Sequence, residues 1–184
     1  MRFIKPIIGL LFATLLIFSS CQEDATNAVY FSKDQLKNDL GVTINDSNGL
    51  KISVNSNATL SLTSSDFFQE NLSYLKDLEV LKMSYKVKGL TNNPLVSISN
   101  VNVFIDEISI TEFIDTSLFI NVNSSPNSTD NGFEITNEKL LLDIALKLLN
   151  KKEVIVSYKS DAVSSDQLDF ELEFSITAKG TFIN

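Results

Sequence analysis

Leu168, Phe170, Leu172, Phe174 and Ile176 alternate with Asp169, Glu171, Glu173 and Ser175. Apolar side chains at every second position form one dry face only on an extended strand, because a helix would scatter them around its circumference. Such a strand needs lateral partners and a cover for its apolar face, so this stretch commits the chain to a sheet that is wet on one side. Leu81, Met83, Tyr85 and Val87 alternate in the same way with Lys82, Ser84, Lys86 and Lys88. The outer residues are acidic in one strand and basic in the other, which suits neighbours joined by cross-strand ion pairs or two separately solvated faces.

Elsewhere the period lengthens. Leu140, Leu141, Ile144, Ala145, Leu148 and Leu149 recur at helical spacing, with Glu138, Lys139, Asp143 and Lys147 off that face, which predicts an amphipathic helix over 137–150 capped by Thr136 or Asn137. A second helix is expected over 65–77, capped by Ser64 or Ser65, with Asp66 and Glu70 near its positive end. Further strands are expected at 50–54, 58–63, 118–122, 132–136 and 154–158, and a hairpin at 101–105 and 108–113 around Asp106-Glu107. The two halves look alike at an offset of 73: Met83-Ser84-Tyr85-Lys86 aligns with Val156-Ser157-Tyr158-Lys159, Phe67 and Phe68 with Leu140 and Leu141, and Leu75 with Leu148. Further back the offset falls to 68, which places an insertion in the loop from Asn123 to Gly132. The reading is an α+β fold, a largely antiparallel sheet or sandwich with two amphipathic helices, in two ββαββ pseudo-repeats at about 50–112 and 118–180. Chance likeness between two amphipathic segments is the alternative source of the match.

The first residues carry a different message. Arg2 and Lys5 precede an apolar run from Ile7 to Phe18, and the small residues Ser19 and Ser20 precede Cys21, the one cysteine of the chain. The run is shorter than the roughly 20 apolar residues that a spanning helix needs. Phe18-Ser19-Ser20-Cys21 resembles the lipobox of bacterial lipoproteins, with Phe18 where that family usually has leucine, and Gln22-Glu23-Asp24 resembles the acidic surface-export tract of the Bacteroidota. The resemblance implies a signal peptide over 1–20, an acyl chain of the palmitate kind on Cys21, a linker over about 22–28, and a globular domain from 29 to 184 on the outer face of the outer membrane. Its implied partner is the membrane, reached through the anchor on Cys21. An ordinary cleaved signal with a leftover cysteine is the plainer reading of the same residues.

Two of the 15 basic residues precede Cys21 and all 23 acidic ones follow it, leaving a net −10 beyond it. Nucleic acid and anionic lipid are poor partners for that balance. The chain has no histidine and no second cysteine, so the usual transition-metal ligands and the Ser-His-Asp and Cys-His catalytic arrangements are excluded, and no metal or other cofactor is expected.

Several motifs have both a chemical and a bland reading. Ser73-Tyr74-Leu75-Lys76 fits an S-x-x-K nucleophile motif, or a helix with Ser73 and Lys76 turned to water. Asp106-Glu107 and the Asp169, Glu171, Glu173 row offer carboxylate pairs, or solvated charge. Asp46-Ser47-Asn48-Gly49 and Thr129-Asp130-Asn131-Gly132 offer calcium ligands, or Asx-Gly turns. Tyr30, Tyr74 and Phe182 are the aromatics least committed to a core, and so the ones free to stack on a sugar. No residue set is assigned to catalysis. The expected function is a surface-exposed, non-catalytic interaction or structural module whose protein or glycan partner the residues do not name. The alternative is a carrier of a hydrophobic small molecule, held between helices and sheet by Phe67, Phe68, Leu140, Leu141 and Leu148.

Overall fold

The alternation at 168–176 continues to Ile183, making a strand of 16 residues (β8, Leu168–Ile183) that is the spine of the first sheet. In the computed structural model, which describes residues 28–91, 93–120 and 133–183, β8 is flanked on both sides. β1 (Val29–Ile44) pairs with it from Val29↔Ile183 to Ile44↔Leu168, and β3 (Leu75–Lys88) pairs with its other edge. The acidic and basic strands are therefore neighbours: Lys86 stands opposite Glu173, and Lys88 reaches Glu173 at 2.7 Å and Asp39 of β1 at 3.6 Å. These pairs are partly open to water and add little to stability beyond helping to set the register.

β6 (Phe133–Ile135) completes the first sheet, in the order β1-β8-β3-β6. The second sheet runs β2 (Lys51–Ser61), β7 (Glu153–Ser164), β4 (Val96–Ile105), β5 (Ile108–Ser109). All pairings are antiparallel and nested: first with eighth, second with seventh, third with sixth, fourth with fifth. Additional pairings of β3 with β8 and β4 with β7 roll this long hairpin into two facing sheets, the jelly-roll form of the β-sandwich. The apolar face of every long strand meets one continuous core, in which Leu36, Leu60, Met83, Val103, Val156 and Leu172 are fully buried.

Several expectations are corrected. Residues 50–54 and 58–63 are not two strands but one, β2, since Asn55, Ser56 and Asn57 pair with Lys159, Tyr158 and Ser157 instead of turning. Pairing with a long neighbour overrides local turn preference there. The helix over 65–77 is cut to six residues, α1 (Asp66–Asn71), between short 3-10 turns at Leu62–Ser64 and Leu72–Tyr74. Ser65 caps it as expected, accepting the Phe68 N–H at 3.2 Å, but Leu75 is already in β3, opposite Phe182. The strand at 118–122 is replaced by a helical turn, α2 (Ser117–Ile120), as far as the described residues reach. The second arm of the hairpin is only β5, since Thr111–Phe113 is a 3-10 turn. Among the described residues each half thus carries one strand ahead of its helix, β2 before α1 and β6 before α3, instead of the two expected, and the strands of each half are divided between the sheets.

The second helix matches its expectation. α3 (Glu138–Lys151) buries Leu140, Leu141, Ile144, Ala145 and Leu148. Asn137 Oδ1 accepts the Leu140 N–H at 2.9 Å, and Lys152 ends the helix in the left-handed region at φ 68°, its N–H donating to the Leu148 carbonyl. Inside the sandwich, the hydroxyls of Tyr158 and Ser160 are buried without a well-directed hydrogen bond. Burial pushes the Tyr158 hydroxyl up to about 12, against a weaker pull from Ser160, so it stays protonated at neutral pH.

Candidate interaction groove

β3 is much longer than the strand on its outer side. β6 pairs with Met83, Ser84 and Tyr85 alone, which leaves the edge of β3 from Leu75 to Lys82 without a strand partner among the described residues. α3 lies across that edge and packs its apolar face onto β3 and β7. The helix does not close on the edge completely. A groove of about 600 Å³ remains, lined by Asp77 to Leu81 on the strand side and by Thr136, Glu138, Leu141, Leu142 and Ala145 on the other.

The register explains the groove's character. Between Val80 and Lys82 the pairing of β3 with β8 slips, so Leu81 is an extra residue in a β-bulge and is pushed outward, 36% exposed. Leu142 and Leu146, one turn apart on the outer side of α3, are 59% and 49% exposed. Leu78, Val80, Leu141 and Ala145 are buried and form the floor. The rim is acidic: Asp77, Glu79 and Glu138 line it and, among the described residues, no basic side chain does. Asp77 Oδ1 accepts the Leu78 N–H at 2.9 Å, Glu79 meets Lys179 at 3.4 Å across an exposed pair, and Glu138 sits in the first turn of α3, where the helix dipole favours a carboxylate. Thr136 is the one hydroxyl in the lining and nothing there would activate it as a nucleophile, so this site is equipped to bind.

The residues singled out from sequence lie elsewhere. Ser73 is in a 3-10 turn and Lys76 in a strand, both exposed, so the helical turn that an S-x-x-K pair requires is absent. Asp46-Ser47-Asn48-Gly49 is a turn tied to β7: Asp46 Oδ1 accepts the Asn48 N–H at 2.7 Å, and the Ser47 and Gly49 N–H groups donate to the Ser164 carbonyl. Its φ values of 52° at Asn48 and 75° at Gly49 are the left-handed pair that asparagine and glycine suit. Of the aromatics, Tyr74 is exposed, Tyr30 is half-buried with its hydroxyl on Asn71, and Phe182 is fully buried, which removes it from any sugar-stacking surface. Phe67 and Phe68 gather around Phe182, whereas Leu140 and Leu148 face the core from α3. Of the five residues assigned to a carrier pocket only Leu141 lines the groove. Cys21, Gln22, Glu23 and Asp24, and the turn Thr129–Gly132, lie outside the described residues.

Asp106 is neither half of a facing carboxylate pair nor a freely solvated charge. Its side chain is 9% exposed, with Oδ2 at 3.1 Å from Lys151 and 3.7 Å from Lys147, and Oδ1 accepting the Ile155 N–H at 2.9 Å. The residue thus ties the end of α3 to the β4–β5 turn and β7. Burial pushes its carboxyl upward, but the Ile155 N–H and the two lysines outweigh that and hold it below the ordinary value of 3.8. A depressed native value means the contribution is present above the ordinary carboxyl range and fades as pH falls through the native value. Asp106→Asn keeps a residue that tolerates the φ of 51° and removes only the charge. It is expected to cost about 1–2 kcal/mol at pH 7, a modest figure because Lys151 is largely in water, with the difference shrinking below about pH 4. Urea unfolding of both proteins at pH 7 and pH 3 measures this.

No family model and no curated protein matches the chain. Among solved structures it is similar to the decameric BFDV capsid protein, at 14% identity and a TM-score of 0.45, over 82% of this chain and 99% of that one. The 60-mer of the same capsid protein scores 0.43 at 13% identity, over 86% and 96% of the two chains. The semi-empty virus-like particle of the Macrobrachium rosenbergii nodavirus scores 0.41 at 10% identity, over 88% and 97%.

Proposed function

We propose that this chain is a surface-displayed lipoprotein, acylated at Cys21, whose β-sandwich binds a partner without catalysing a reaction on it. Gln22, Glu23 and Asp24 carry the export signal to the outer face of the outer membrane in this reading, and residues up to 28 span the distance to β1. The observation that carries the binding role is the groove between β3 and α3, with exposed leucines and three carboxylates around an apolar floor. The likeness between the halves belongs to the same reading and is supported at the level of strands: moving every strand four places along the chain exchanges the two sheets and takes β3, which holds Met83–Lys86, to β7, which holds Val156–Lys159. A second reading, a carrier of a hydrophobic small molecule, is supported by the groove's volume, which is of the order of ligand pockets.

Cys21→Ala is expected to abolish acylation and to release the protein from the membrane fraction, or leave its signal uncleaved. Mass spectrometry of the purified native protein gives the direct answer, since an unmodified thiol at Cys21 would remove the lipoprotein reading. Replacing Glu23 and Asp24 by alanine is expected to lower protease accessibility on intact cells at constant total amount.

A further inference from the structure

We infer that the groove takes an extended segment of a basic partner protein, which adds as a further strand to the stretch of β3 edge that no described strand pairs. This rests on reading the sandwich as a binding module and gives that module's partner a chemistry. An unpaired strand edge presents a peptide N–H and C=O at every second residue, and natural sandwiches usually blunt or cover such edges. Here β6 covers only Met83 to Tyr85, and α3 stands off the stretch from Asp77 to Leu81. Five residues of strand run about 16 Å at the usual rise per residue, so the open edge accommodates a segment of about that length.

The alternation along β3 specifies what the added strand carries. Leu78 and Val80 turn inward, so partner side chains on that face meet the apolar floor with Leu141 and Ala145. Asp77 and Glu79 turn outward, and Glu138 adds a third carboxylate from the helix, so the other face of the partner strand is matched by lysine or arginine. Main-chain pairing then supplies affinity and the alternate side chains supply selectivity, as in other strand-addition sites. A second copy of this chain fits less well, because its formal charge of −8 would bring acidic surface against an acidic rim.

The test uses the full chain and three synthetic seven-residue peptides: alternating lysine and valine, alternating glutamate and valine, and the lysine peptide N-methylated at every second amide in either register. Calorimetry is expected to show binding by the first alone, with amide resonances shifting at residues 77–81 and 138–145. The triple variant Asp77→Lys, Glu79→Lys, Glu138→Lys is expected to weaken the lysine peptide by about tenfold or more. The N-methylated peptide reports on strand pairing with the protein unaltered, so the result does not depend on that variant folding. No binding by the lysine peptide at millimolar concentration would overturn the inference. So would equal binding by the glutamate peptide, indifference to N-methylation, or shifts confined to the acidic outer face at Glu171 and Glu173. Acylation of Cys21 is read separately, so failure of the peptide with the acyl chain present removes the partner and leaves the displayed module standing.

Discussion

Phe182→Ala is expected to lower the stability of the folded chain by about 3–5 kcal/mol, the range for deleting a fully buried aromatic ring. The ring is inaccessible to solvent and stacks on Tyr30 at 5.2 Å, with Phe67 edge-on at 5.3 Å and Phe68 at 5.9 Å. It joins three elements at one end of the sandwich: the start of β1, the end of β8 and the short helix α1. The seat for it is made by Gly180, two residues earlier on the same face, where a β-carbon would come within 2.6 Å of the Phe182 ring and 2.9 Å of Phe68. Alanine at 182 leaves that seat empty, and the neighbours refill it only by moving two strands and a helix together. Guanidinium unfolding followed by circular dichroism gives the number; a loss below about 1 kcal/mol would mean that the cluster repacks freely.

Leu148→Ala is expected to cost about 2–5 kcal/mol, because the side chain is fully buried on the inner face of α3. The same substitution separates the packed core from a ligand pocket: a pocket-lining leucine would be lost at little cost, and the wild type would bind a hydrophobic fluorescent probe in its native state. Binding of such a probe, with an unchanged unfolding midpoint for the variant, would favour the carrier reading. Both variants are conservative in charge and leave the acidic rim of the groove untouched.

What was legible in the sequence followed from whether a face was uniformly wet or dry. β8 and the later part of β3 could be read because apolar and charged residues alternate cleanly, and their opposite charges left pairing as one of two readings, the other being separately solvated faces. α3 could be read for the corresponding helical reason. β1 was invisible although it pairs along the whole of β8, because its inward row Leu36, Leu40, Val42, Ile44 is interrupted by Asn38, whose side-chain amide donates to the Thr59 carbonyl of β2 at 2.5 Å. β8 was read as ending at Ile176 because Ala178 and Gly180 follow at its inward positions, and residues so small hide a period that Phe182 resumes. Around α1, Phe67, Phe68, Leu72 and Leu75 satisfy a helical spacing, yet Leu75 serves β3 equally well, and opposite Phe182 the sheet takes it. The groove had no local signal at all. It exists because β6 is short and β3 bulges at Leu81, and these are matters of pairing between segments some fifty and nearly a hundred residues apart.

The nesting of the strands sets the order in which the fold can be assembled. Each outer pair encloses the pairs inside it, so β4 and β5 meet across a two-residue turn while β1 must wait for a strand more than a hundred residues further on. A chain made from its N-terminus onward therefore holds β1 unpaired until β8 has followed. Closing so large a loop comes late and slowly, since its entropy is lost before any contact repays it. The first sheet is thus expected to finish last, at the edge where β1 joins β8, with the earliest described strand receiving its partner as the final step of folding.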